Sequence, residues 1–367
     1  MAPSFDVDAV IPHDYRDNAV TAGRVVHVPK TLQDVARQAG VSMKTVSRVV
    51  NNEPHVAEDT RHQVLRVIAE TGYVPHLQAQ RLASGRTRSI ALHYPLTDPG
   101  LISNEIEMNF ITGTAYGAAE EEYFFSLMTG ELTHASLLRL CRGAQADGLI
   151  LMQIALDDWR VELLRENNYP FVMIGRTANN DGLTYIDLDF EAAIVQAYAH
   201  LIELGHRRIA CLTFSEDWRL RGLGPAMRSL RGIHLAVDRF GIPLIYRECA
   251  LDVDRAYCTA MQLMAHDSRV TAFVAMHNTI AVGTIRALRD LERSVPEDCS
   301  VVGVAIGNEA NLVIPPLTAI AFSGHEVGRQ GARMLIQQLN GADGTSQQVL
   351  VSPKLQTRRS TAPVKSV

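Results

Sequence analysis

The sequence predicts an α/β protein with a small all-helical head ahead of a larger body built on parallel sheets. Two observations carry this. Three short helical patterns crowd into residues 31–70, and from Ser89 onward short Val-, Ile- and Ala-rich runs alternate with amphipathic stretches. A third is length: 367 residues exceed what one compact core organises.

Residues 1–29 mix Pro, Asp, Arg and Asn without sustained periodicity and read as a flexible leader. The head is expected over 30–75. Thr31 followed by Asp34 has the spacing of a helix N-cap, and Leu32, Val35, Ala36 and Ala39 mark one apolar face. Gly40 breaks this helix, and Ser42 caps a second from Met43 to about Asn51. A third, from Glu58 to Glu70, is expected to bury Val64, Leu65 and Ile68 and to stop at Gly72. The second helix is polar on one side (Met43, Lys44, Ser47, Arg48, Asn51) and apolar on the other (Val46, Val49, Val50). Such a helix can enter a major groove, where Arg48 could offer guanine two parallel donors. Thr31, Thr45, Ser47 and Asn51 are short side chains suited to phosphate.

In the body, SIALHYPL, GLILMQ, PFVMIGR, RIACLTF, TAFVAM and SVVGVAI read as buried strands, separated by helices such as Ala192–Leu204 and Ala281–Leu291. They exceed the needs of one sheet, so two α/β lobes are expected. Net charge is −5, yet Lys30 to Arg88 holds nine Lys/Arg against five Asp/Glu, a local +4 that leaves −9 elsewhere. A basic head on an acidic body is the asymmetry expected when one segment meets nucleic acid.

Other classes are disfavoured. No apolar run approaches the ~20 residues of a membrane span, and the start lacks a secretion signal. Five scattered cysteines without a C-x-x-C pair point to reduced thiols in the cytoplasm, with neither disulfides nor zinc. There is no G-x-G-x-x-G opening a helix, no phosphate loop, no G-x-S-x-G elbow and no metal-ligand spacing; His206, His266 and His277 stand alone. The expectation is a non-enzyme without cofactor or metal.

The stretches TLQDVARQAGVS, TVSRVVN, VAEDTRHQV and GYVP resemble, at matching spacing, the head of the LacI/GalR (lactose/galactose repressor) family. The resemblance implies a helix-turn-helix in which Met43, Lys44 and Arg48 read bases. It implies a hinge helix and linker over 76–88, ordering on operator DNA, with Leu82, beside Ala83, as a minor-groove wedge. His76 and Gln80 depart from the family's usual Asn and Arg there.

HLIELGHRRIACL, VPEDCSVVGV and PPLTAI extend the resemblance and imply the two-lobed, periplasmic-binding-protein-like fold over 89–367, serving effector binding and dimerisation. The lobes are expected at about 89–186 with 319–345, and 187–318 with 346–360. Gly205 and His206 are read as serving a turn. Cleft candidates are the loop after Leu96, Arg176, Asp189, Trp218, Arg228, His277 and Asn278. Arg176 has a surface ion pair, Asp189 a helix cap and Trp218 core filling as the structural alternative.

The chain departs from the family at His277-Asn278, where Asn-Asp is usual, at Ala305 for an acid, and at Ser229 for an arginine, with Arg228 and Arg231 nearby. The implied partners are a near-palindromic double-stranded operator, a second copy of the chain, and a small-molecule effector. That effector is a saccharide or derivative, another metabolite, or lost altogether, leaving constitutive DNA binding. A sugar-binding protein without regulatory role fits the body but not the head. The tail QTRRSTAPVKSV lacks the leucine heptad of a tetramer.

Overall fold

A computed structural model describes residues 31–50, 54–73, 87–95, 105–143, 145–341 and 346–365. The chain divides into two compact units, residues 1–83 and 84–367, each described by itself.

In the first unit, α1 (Leu32–Gln38), α2 (Met43–Val50) and α3 (Glu58–Thr71) enclose a small core. Thr31 opens α1 with a reciprocal cap: its hydroxyl accepts from the Asp34 amide at 3.3 Å, and the Asp34 carboxylate accepts from the Thr31 amide at 3.0 Å. The turn to α2 needs the left-handed backbone of Gly40 (φ 64°), which costs little without a Cβ. The Ser42 hydroxyl then accepts from the Thr45 amide at 3.1 Å. Val35, Val46 and Val64, one from each helix, are fully buried. The Gln63 side-chain amide donates to the Ala39 carbonyl at 3.0 Å, tying α3 to the end of α1. One expectation is corrected: Leu65 is 47% exposed. The inward face of α3 is Val64 and Val67 with half-buried Ile68, and a 3.6-residue period turns Leu65 outward. Asn51 and the hinge residues 76–86, with Leu82 and Ala83, lie outside the described residues, as does the leader.

The second unit holds two six-stranded sheets. The first is ordered β11-β5-β4-β3-β1-β2, from β1 (Ser89–His93), β2 (Phe124–Met128), β3 (Gly148–Leu151), β4 (Phe171–Ile174), β5 (Tyr185–Leu188) and β11 (Gln348–Val351). All its pairings are parallel. The second is ordered β12-β10-β9-β8-β6-β7, from β6 (Ile209–Thr213), β7 (Tyr246–Glu248), β8 (Ala272–Ala275), β9 (Ser300–Ile306), β10 (Thr318–Ala321) and β12 (Lys354–Gln356). Only its edge strand β12 runs antiparallel.

Helices cover both sheets: α4 (Glu105–Glu120), α5 (His134–Arg142), α6 (Trp159–Glu166) and α12 (Gly324–Leu339) in the first lobe; α7 (Phe190–Glu203), α8 (Glu216–Leu220), α9 (Gly224–Phe240), α10 (Val253–His266) and α11 (Asn278–Asp290) in the second. Helices α4 and α12 approach backbone to backbone. A Cβ on Gly113 would fall 2.0 Å from the His325 carbonyl oxygen, and one on Gly328 would fall 2.3 Å from that of Phe110.

The sheets move the expected lobe exchanges. Strand β10 belongs to the second sheet, so the chain crosses back at Phe322 rather than before residue 319. Strand β11 belongs to the first, so the last crossing falls at Ser352–Pro353 rather than after residue 345. Pairing decides this, because neither short strand carries a local signal of which sheet it joins. The lobes also touch through an isolated bridge between Ala155 and Leu223.

Gly205, at φ 90°, ends the turn after α7. The His206 ring lies within hydrogen-bond distance of the Thr271 and Ser300 hydroxyls, at 3.0 Å each, and of the Ala362 carbonyl at 3.1 Å, which anchors the tail.

Candidate nucleic-acid interface and effector cleft

On α2 the sequence places valines at 46 and 49, so burying them in the head turns the opposite face outward. Met43 is 53% exposed, Lys44 is exposed, and Ser47 and Arg48 are half-buried on the same helix. Two short candidates are already engaged within the head. The Thr31 hydroxyl donates to the Asp34 carboxylate at 2.8 Å, and the Thr45 hydroxyl shares a 2.9 Å hydrogen bond with Ser42. The open first turn of α2 therefore presents Met43 and Lys44, with an N-terminal helix end that favours anions. At the start of the second unit, the Asp147 carboxylate accepts from the Thr87 amide at 2.7 Å and the Arg88 amide at 2.8 Å. These bonds tie Thr87 and Arg88 to the segment just before β3.

Between the lobes of the second unit lies a cleft of about 820 Å³, open space at its mouth included. Its walls are mainly aromatic and aliphatic, among them Phe110, Phe190, Phe214, Trp218 and Phe322. Trp218 stacks on Phe214 at 4.9 Å between ring centres, with planes 3° apart. The polar groups are few: Tyr94, Glu107, Gln153, Asp187 and His277. A cleft of this size and character suits a small organic molecule.

Of the candidates read from sequence, Trp218 and His277 line the cleft. His277 also caps α11, its Nδ1 accepting from the Thr279 amide at 3.2 Å, and burial pulls its pKa down to about 3, so the ring is neutral. The other described candidates stand behind the wall or serve helix ends. Asp189 caps α7 by accepting from the Ala192 amide at 3.0 Å. The Asn278 side chain accepts from the Thr279 amide at 2.7 Å. Arg176 pairs with Asp187 at 3.2 Å and with Glu191 at 3.7 Å, a largely buried arrangement rather than a surface pair. Arg228 is buried and donates to the Thr177 carbonyl at 3.0 Å. Leu96 lies outside the described residues.

Sequence reasoning missed Tyr94, Glu107, Gln153 and Asp187. Burial raises the Asp187 carboxyl to about 6 against the pull of Arg228 and Arg176. Burial likewise raises Glu107 to about 7, helped by the nearby charge of Glu309, and the Tyr94 hydroxyl lies against it. Asp187 did leave a signal, an acid inside a four-residue strand buried throughout. Glu107 left a weaker one, an acid near the start of a largely apolar helix.

Below the ends of β1 and β3 sits a buried clamp. Arg160 donates to Asp158 at 2.8 and 2.6 Å and to the Met152 and Gln153 carbonyls at 3.2 and 2.9 Å. It also donates to His93 Nδ1 at 2.9 Å, while His93 Nε2 faces the Gly130 carbonyl at 3.0 Å. The clamp holds the backbone from which Tyr94 and Gln153 project. Among the described residues no group of side chains is arranged to hold a metal, and no helix is long and apolar enough to cross a membrane.

Comparison with known proteins agrees with both units. Residues 31–76 match the family described as bacterial regulatory proteins, lacI family, and residues 198–361 match a periplasmic binding protein-like domain. The HTH-type transcriptional regulator CelR of Thermobifida fusca is 30% identical over 339 residues, covering 90% of this chain and 98% of that protein. Catabolite control protein A of Priestia megaterium is 28% identical over 338 residues, covering 90% and 99%. Among solved structures, the lac repressor dimer bound to operator and the anti-inducer ONPF superposes with a TM-score of 0.77 at 27% identity, covering 91% of this chain and 99% of that one. The CelR–cellobiose complex superposes with a TM-score of 0.67 at 28% identity, covering 90% and 99%.

Proposed function

The chain belongs to the lacI family of bacterial regulatory proteins, a DNA-binding transcription regulator, and from that premise we propose that it represses carbohydrate-utilisation genes under control of a small molecule held between its lobes. The observation carrying the DNA half is α2, whose Val46–Val49 face is buried while Met43 and Lys44 point outward. In the operator complex Met43, Lys44 and Arg48 meet base edges, and Thr31, Thr45, Ser47 and Asn51 lie along phosphate. Leu82, beside Ala83, unstacks the central step from the minor groove. Two copies of the chain bind a near-palindromic site, matching protein symmetry to DNA symmetry. The protein acts in the cytoplasm, on the nucleoid, and turns over no substrate.

The effector half rests on the cleft. Trp218 and His277 contact the ligand directly, and Arg176, Arg228, Asp189 and Asn278 shape the wall behind them. The loop after Leu96, outside the described residues, is the remaining candidate for ligand contact. The ligand shifts the relation of the lobes and thereby the spacing of the two hinges. A hundredfold preference for one arrangement supplies about 2.7 kcal/mol of such coupling.

The test is selection of binding sites from random duplexes with full-length protein at physiological salt, followed by affinity measurement. A selected near-palindrome bound at least a thousandfold more tightly than random duplex is expected. Equal affinity for both refutes the reading.

A further inference from the structure

Within the proposed effector cleft, the charges are arranged asymmetrically. Among the described residues lining it there is no lysine or arginine. Asp187 is answered from behind by Arg176 at 3.2 Å, and Arg228 lies close enough to pull on its titration. Among the described residues Glu107, on α4 in the other part of the wall, has no such answer. The groups that act on its carboxyl are its own backbone, the Tyr94 hydroxyl and the negative charge of Glu309, while Gln153 meets Tyr94 from the other side. Glu107 is only 5% exposed, and its Oε2 has no hydrogen-bond partner among the described residues. An acid left so in an apolar wall is costly once ionised unless a cation arrives with the ligand. The same cavity holds the stacked Phe214 and Trp218, whose faces suit both a sugar ring's C–H surface and a positive charge.

We infer that the effector carries a protonated amine, seated against Glu107, on a ring or hydroxylated carbon frame that packs on Trp218; an amino sugar is the simplest such molecule. The inference rests on the cleft being the effector site. It excludes sugar phosphates and carboxylates, which would bring a second negative charge to Glu107 without a lining cation to offset it. A neutral sugar would have to be met by a Glu107 that keeps its proton, and that is the competing outcome.

The experiment is calorimetric titration of the full-length protein at pH 7 with matched probes: glucosamine against glucose, galactosamine against galactose, and benzylamine against benzyl alcohol. Trp218 fluorescence is followed in a Trp159→Phe background. At least one amine is expected to bind tenfold or more tightly than its neutral partner, and Glu107→Gln is expected to erase that preference. Wild-type protein provides a check independent of any variant's folding. Seating a cation ionises Glu107, so binding releases protons, read as an enthalpy that varies with the buffer's ionisation heat. A neutral probe binding as tightly as its amine, or a preference surviving Glu107→Gln, overturns the inference. If neutral sugars perturb Trp218 without any amine preference, the inference falls while the cleft assignment stands. If no probe at millimolar concentration perturbs Trp218 or operator affinity, both fall.

Discussion

The Asp158–Arg160 clamp offers a sharp quantitative test, because its two charges are among the most deeply buried in the body. Their side chains are 3% and 8% exposed and lie 2.6 Å apart. Burial by itself would raise the Asp158 carboxyl, but Arg160 outweighs it and holds the group below its ordinary value. Asp158→Ala leaves a guanidinium in the interior with its remaining donors on carbonyls and His93. Breaking a buried pair on one side costs about 3–5 kcal/mol, mostly the stranded charge. With a urea slope of about 3 kcal/mol/M for a unit of this size, the midpoint falls by about 1–1.7 M. Both tryptophans, Trp159 and Trp218, lie in the body, so tryptophan fluorescence follows that unit alone. The double variant Asp158→Ala/Arg160→Met removes the stranded charge and should recover part of the loss. A shift below about 0.3 M for the single variant, under roughly 1 kcal/mol, would refute the claim that the clamp holds the ends of β1 and β3.

Four further outcomes are expected. Arg48→Ala should reduce discrimination between operator and random duplex by about 1–3 kcal/mol, roughly five- to 150-fold, with the circular dichroism of the head unchanged; equal discrimination in a gel-shift titration removes Arg48 from the base-reading set. Val46→Ala, deleting part of a fully buried side chain in a core of few residues, should cost the head about 2 kcal/mol in thermal unfolding, and a neutral result would mean that α2 is not packed as described. Glu107→Gln should stabilise the ligand-free body at pH 8 by up to roughly 3 kcal/mol and do nothing near pH 4. Its carboxyl is raised to about 7 when folded, so the wild type loses stability as pH rises from the unfolded value through 7; a gain independent of pH contradicts this. His93 runs the other way. Burial and then Arg160 lower it to about 4, so the folded body refuses a proton that the unfolded chain accepts, and stability should fall as pH drops from 6.5 towards 4. In urea titrations across that range, His93→Gln should flatten the slope; an unchanged slope assigns the loss elsewhere.

Much of the head and the fold class was legible in the linear chain, because the forces involved act over a few residues. Thr31 and Asp34 cap one another three residues apart, Gly40 supplies a backbone conformation that other residues resist, and valines at helical spacing choose the buried side of α2. Apolar runs alternating with helices likewise fix parallel sheets, since each crossover must return over the sheet face. The one misjudged core residue, Leu65, shows the limit of that logic: hydrophobicity suggested burial, and the phase of α3 against its neighbours decided otherwise.

The cleft belongs to tertiary structure. Glu107 and Asp187 stand 80 residues apart in sequence, and nothing local tells them that they will share a cavity with Trp218 and His277. Arg176 and Asp189 carried the right chemistry for a ligand, yet packing turned one to an internal ion pair and the other to a helix end. Strands β10 and β11 likewise chose their sheets by pairing. Periodicity and capping are settled between neighbours along the chain; which buried charge faces which empty space is settled only when distant segments exclude water together.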